Sequence, residues 1–138
     1  MIHKLKLRDP AEEQAALNSH LAQMRQLRED RKEDHRKGIP ALERLFEVAQ
    51  RDSGQPRHIA AFLLGLYNGT RFPFDLTDLR CIDRELFDDC MLVLRMDRSP
   101  EQEVHCYFEG GGRLFEALAR DKGIRDRTGE PVEAMTKL

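Results

Sequence analysis

Six carboxylates fall between positions 75 and 89: Asp75, Asp78, Asp83, Glu85, Asp88 and Asp89. Hard cations take several oxygen ligands, and neighbouring carboxylates can do acid–base work. Here no glycine stands where an EF-hand loop needs one, and Arg80 and Arg84 are interleaved as ion-pair partners. Asp75 and Asp83 read as helix N-caps, whose side chains accept backbone N–H bonds. Cys81, Cys90, Cys106 and His105 could in principle ligate zinc, but structural zinc sites show closely paired ligands. The cysteine spacings are 9 and 16, and only His105 and Cys106 are adjacent. That adjacency also suggests a nucleophile and its base, without supplying the spatial geometry such a pair needs. Gly110-Gly111-Gly112-Arg113 lacks the Lys-Ser/Thr of a phosphate loop. The expectation is therefore no catalytic residue, no cofactor and no metal, with three buried free thiols.

Two constellations point to binding instead. Residues 45–64 resemble a degenerate helix-turn-helix, in which Gln55, Arg57 and His58 would face a DNA groove. Asp52 and Gly54 stand where that motif wants apolar residues, so an ordinary helical hairpin is the competing reading. The second constellation is an apolar stripe, Leu17, Leu21 and Met24, on an otherwise polar helix. Such a stripe needs a partner surface, which either the compact domain of the same chain or a second copy, in a homodimer, would supply.

The elements that position these residues follow from periodicity. Asp9, Pro10 and Glu12 form a helix start. From Arg25 to Lys37 the chain is almost wholly charged, which predicts a solvated helix end or a linker. Gly38-Ile39-Pro40 reads as a fresh start, with Leu42, Leu45, Phe46 and Ala49 on one face. After the break Asp52-Ser53-Gly54 comes a helix carrying Ile59, Phe62, Leu63, Leu66 and Tyr67, closed by a left-handed cap at Asn68-Gly69. Phe72-Pro73-Phe74 is an apolar loop expected to tuck against this pair, and Asp75 or Thr77 opens a short helical turn. Asp83 begins a longer helix. Ser99-Pro100-Glu101-Gln102 reads as a capping box opening another, through Val104, Tyr107 and Phe108. Arg113 to Asp121 is the last, stopped by Gly123. The fold class is all-α, a small bundle of five to six helices. The alternation Val104, Cys106, Phe108 permits an α+β alternative with a hairpin around 90–108.

The 138 residues are the size of one domain, and charged residues make up 35% of them. The charges nearly cancel, 23 basic against 25 acidic. A dedicated polyanion binder would show a basic excess, so nucleic acid is a weaker candidate partner than protein. The composition divides the chain into a charged amphipathic arm (1–38), a compact helical domain (39–123) and a polar, flexible tail (124–138). No apolar run approaches a signal peptide or a membrane span, so a cytoplasmic protein without membrane association is expected.

Several phrases carry a resemblance. They are Leu42-Glu43-Arg44-Leu45-Phe46-Glu47-Val48-Ala49-Gln50, Asp52-Ser53-Gly54-Gln55, Phe74-Asp75-Leu76-Thr77-Asp78-Leu79, Tyr107-Phe108 and Gly111-Gly112-Arg113-Leu114-Phe115-Glu116. Over roughly residues 40–120 the chain resembles a family of small uncharacterised bacterial proteins carried on plasmids and integrative conjugative elements. The resemblance implies a setting in mobile DNA and carries over no catalytic residue. The function expected is that of a non-enzymatic helical interaction or accessory protein. A DNA-binding regulator is the alternative, and a metal-dependent enzyme ranks last.

Overall fold

A computed structural model describes residues 3–127. They form four α-helices, Pro10–Ala49 (α1), Gly54–Tyr67 (α2), Arg84–Arg98 (α3) and Gly111–Asp121 (α4). Two short 3-10 helices, Leu76–Cys81 and Val104–Tyr107, lie either side of α3. No strand occurs among the described residues, so the fold is all-helical and the hairpin alternative around 90–108 is excluded. The tail expected at 124–138 lies outside the described residues from position 128 onward.

The chain divides into two compact units, residues 1–33 and 34–138. In the first, Asp9 accepts a hydrogen bond from the Ala11 amide at 3.1 Å and so caps the start of α1, with Glu12 and Glu13 in the first turn. Carboxylates there meet the positive end of the helix dipole. The charged run is helical throughout, since helix propensity is good for Arg, Lys and Glu.

The second unit holds all the buried hydrophobic side chains among the described residues. On α1 these are Ala41, Leu42, Leu45, Phe46 and Ala49; α2 adds Ile59, Ala60, Phe62, Leu63 and Leu64. Cys90, Val93 and Met96 come from α3, and Phe115, Leu118 and Ala119 from α4. The centre is aromatic. The Phe46 ring lies 4.7 Å from Phe108 and 5.4 Å from Phe115, and Tyr67 is 5.3 Å from Phe115. Such pairs each add about 1 kcal/mol beyond the area they bury. The Phe72-Pro73-Phe74 loop does tuck inward, with Phe72 buried and Phe74 edge-on to Phe62 at 5.6 Å.

Three local expectations give way. Gly38-Ile39-Pro40 does not start a helix, because α1 runs through it. Proline there costs one ladder donor. That loss is offset by packing: Gly38 is buried so closely on Met96 that an added Cβ would sit 2.5 Å from the Met96 Cβ. The capping box at Ser99 is not used. Ser99 ends α3, its amide bonding to the Met96 carbonyl at 3.3 Å, and the following helix is only the 3-10 turn begun by Glu103. Finally, α2 ends at Tyr67 as expected, but Asn68 has φ −157° rather than a left-handed value. Its side chain instead accepts from the Arg71 amide at 3.1 Å, which turns the chain.

Candidate functional site

Many polar side chains of the second unit are engaged inside the fold. Gln55 accepts the Asp83 amide through Oε1 at 2.7 Å and donates Nε2 to the Asp83 carboxylate at 3.2 Å. It thereby satisfies the free amide at the start of α3, where Asp83 makes no side-chain cap of its own. Arg57 donates to the Lys122 carbonyl, and Lys122 in turn donates to the Arg51 carbonyl. The ends of α1 and α4 are thus tied to the beginning of α2. His58 Nδ1 lies 3.6 Å from the Asp78 carboxylate. The three side chains of the DNA-reading constellation therefore each hold an intramolecular contact.

The acidic cluster is dispersed by the same logic. Asp75 accepts from both the amide and the hydroxyl of Thr77, at 2.9 and 2.8 Å, and those bonds hold its carboxyl below the usual range. Asp89 takes a two-pronged bond from Arg44 at 3.0 and 2.8 Å. Among the described residues no three His, Cys, Asp or Glu side chains come together in a way that could hold a metal ion. Nor are the three thiols all buried. Cys90 is buried, whereas Cys81 and Cys106 are exposed. Cys106 Sγ sits 3.5 Å from His105 Nε2.

Two polar links join residues far apart in the sequence, one at the buried His35 and one at the half-buried Arg71. His35 is 6% exposed; its Nε2 donates to the Ser99 carbonyl at 3.2 Å, and its Nδ1 faces the Tyr107 hydroxyl at 3.5 Å. A carbonyl can only accept, so Nε2 carries a proton, while Nδ1 also lies 3.9 Å from a Glu101 carboxylate oxygen. Arg71 donates to both Glu116 oxygens, at 2.5 and 3.1 Å, with its guanidinium 4.7 Å over the Phe72 ring. His35 was hidden by the charged run around it. The available signal is its place seven residues before Leu42, which puts both on one side of a helix.

The first unit carries an exposed apolar row. In the first unit Leu17, Leu21, Met24 and Leu27 are 50%, 49%, 43% and 61% exposed. The polar side chains around them pair within the helix, Gln14 with Asn18 at 2.9 Å, Gln26 with Asp30 at 2.8 Å and Lys32 with Glu29 at 3.4 Å. The spacing of four and then three residues keeps Leu17, Leu21 and Met24 on one side of α1. Isolated exposed leucines are common; here four apolar side chains on one helix are about half-exposed.

No curated protein matches the chain, and no solved structure does. Residues 39–123 match the model of a family described as a family of unknown function, DUF7673. That span takes in α2, α3, α4 and the core end of α1, and the chain belongs to this family.

Proposed function

We propose that this protein is a non-enzymatic helical interaction protein that associates with a second copy of itself through Leu17, Leu21 and Met24, and that it serves as an accessory of a mobile DNA element. The observation that carries the reading is the half-exposed apolar row on α1. Covering the remaining surface of each side chain is worth about 1 kcal/mol. Three such residues from each of two chains, set against the entropic cost of association, give a weak and reversible pair. The resemblance of residues 40–120 to plasmid and conjugative-element proteins supports the setting. The engagement of polar side chains as caps and ion pairs supports a binding rather than a catalytic role. Reading of DNA through Gln55, Arg57 and His58 ranks below it, because each would first have to leave its partner in the fold.

Equilibrium sedimentation tests the proposal. The full chain is expected to show a concentration-dependent monomer–dimer equilibrium, and a Leu17→Glu/Leu21→Glu variant to stay monomeric with unchanged helicity. A wild-type chain that remains monomeric at every concentration overturns it.

A further inference from the structure

We infer that His35 is a pH-sensitive clasp on the loop 99–103: its neutral ring accepts a hydrogen bond from the Tyr107 hydroxyl at Nδ1, and its protonated ring gives that place to the Glu101 carboxylate. His35 is 6% exposed, and its Nε2 donates to the Ser99 carbonyl at 3.2 Å. That bond survives in both states, because Nε2 carries a proton in each. Only the Nδ1 edge changes. There the Tyr107 hydroxyl lies 3.5 Å away and a Glu101 carboxylate oxygen 3.9 Å away. A bare Nδ1 can only accept, and of these two neighbours the hydroxyl alone has a proton to offer. A protonated Nδ1 can only donate, and the carboxylate then supplies both an acceptor and a compensating charge.

Histidine is the side chain whose charge ordinarily changes between about pH 5 and 8. Burial opposes the charged ring, and its polar surroundings favour it. Ser99 is the C-cap of α3, so its carbonyl lies at the negative end of that helix dipole. Burial first, then the Glu101 charge and more weakly that of Asp97, raise the Tyr107 hydroxyl above its ordinary value. The same two charges favour a proton on Nδ1, 3.5 Å from that hydroxyl. The remaining charges around the ring are occupied or balanced. On α1, Lys32 is bound to Glu29 and Asp34 to Arg95 of α3, each at 3.4 Å, and Arg31 and Arg36 have partners of their own. The end of α3 adds Arg98, and the loop adds Glu103 of opposite sign. In the second 3-10 helix the His105 ring lies against Tyr67 and Phe115 and faces Cys106 at 3.5 Å.

Proton–nitrogen NMR of the imidazole rings in the full chain, from about pH 5 to 8, reads the two nitrogens of His35 separately. In the wild type Nε2 should stay protonated throughout while Nδ1 gains its proton as the pH falls. Glu101→Gln should lower the proton affinity of His35 about threefold, a modest effect because the carboxylate is largely exposed. Tyr107→Phe should raise it about twofold to threefold, since the neutral ring loses its bond and the charged ring keeps Glu101. These opposite signs are what a merely structural role would not produce. His58, held by Asp78 on other elements, should titrate identically in all three proteins and serves as the internal reference. An Nδ1 that stays bare across the range, or variants that shift His35 in the same direction, overturns the clasp. An unchanged proton affinity in Glu101→Gln overturns it whatever Tyr107→Phe does.

Discussion

Gly111 lies directly under the carbonyl of His105: a Cβ added at position 111 would sit 1.6 Å from that oxygen and 2.6 Å from its carbon. The contact is backbone on backbone, so no side-chain rotation can relieve it. It closes the turn by which the chain leaves the second 3-10 helix and enters α4, and Gly110 beside it takes φ 65°. Gly111→Ala is therefore expected to destabilise the protein by about 3 kcal/mol or more. Gly112→Ala, where nothing lies within 4 Å, should be neutral or stabilise by up to about 1 kcal/mol. Urea unfolding of both variants checks the contrast, and equal midpoints would refute it.

Gln55 gives a sharper test because it belongs to the proposed DNA-reading set. Its two bonds to Asp83 join residues 28 apart and hold the first turn of α3. Losing a cap of this kind costs about 1 kcal/mol. Gln55→Ala should lower the unfolding midpoint accordingly. Gln55→Glu should do no better, since a carboxylate would face Asp83. A Gln55→Ala protein of unchanged stability would show that the side chain is spare for an outside partner.

Much of this architecture is legible in the sequence, and its gaps have a common cause. Ile59, Phe62 and Leu63 repeat at helical spacing and are buried on α2, and the stripe at Leu17, Leu21 and Met24 is plain from polarity alone. Local pattern fails where a contact is made with residues far along the chain. Gly38 looks like punctuation until Met96, on another helix, is seen to need the space of its missing side chain. Val104, Cys106 and Phe108 alternate like a strand, but Val104 and Cys106 lie in a 3-10 helix that ends at Tyr107, above the turn that Gly111 closes beneath His105. Arg71 and Glu116 stand 45 residues apart, and no local motif announces such a pair.

The three cysteines should separate cleanly by reactivity. Burial, with a smaller contribution from the Asp89 charge, pushes the Cys90 thiol up to about 12. Only the thiolate attacks a disulfide reagent, so at mildly alkaline pH Cys90 is inert while folded. Two thiols, Cys81 and Cys106, are expected to titrate rapidly in the native protein, and the third only on unfolding. Peptide mapping after a short alkylation identifies them, and early labelling of Cys90 would contradict its burial.

Asp97 provides the pH-dependent prediction. Burial first, and the nearby Glu103 charge second, raise its carboxyl above the usual range. It also sits in the last turn of α3, where a negative charge meets the negative end of the helix dipole. An acid whose folded value is raised binds its proton more tightly in the folded state than in the unfolded one. Its effect on stability is therefore most favourable at low pH, and stability is lost as pH rises through the folded value. Asp97→Asn removes the charge and should stabilise the protein at neutral pH by up to about 1 kcal/mol. The advantage of the variant should shrink as the pH falls toward and below the ordinary carboxylate range, where the wild-type side chain is itself neutral. Thermal unfolding of both proteins across that range measures the difference. An advantage that stays constant with pH would mean that the substitution acts through packing rather than charge.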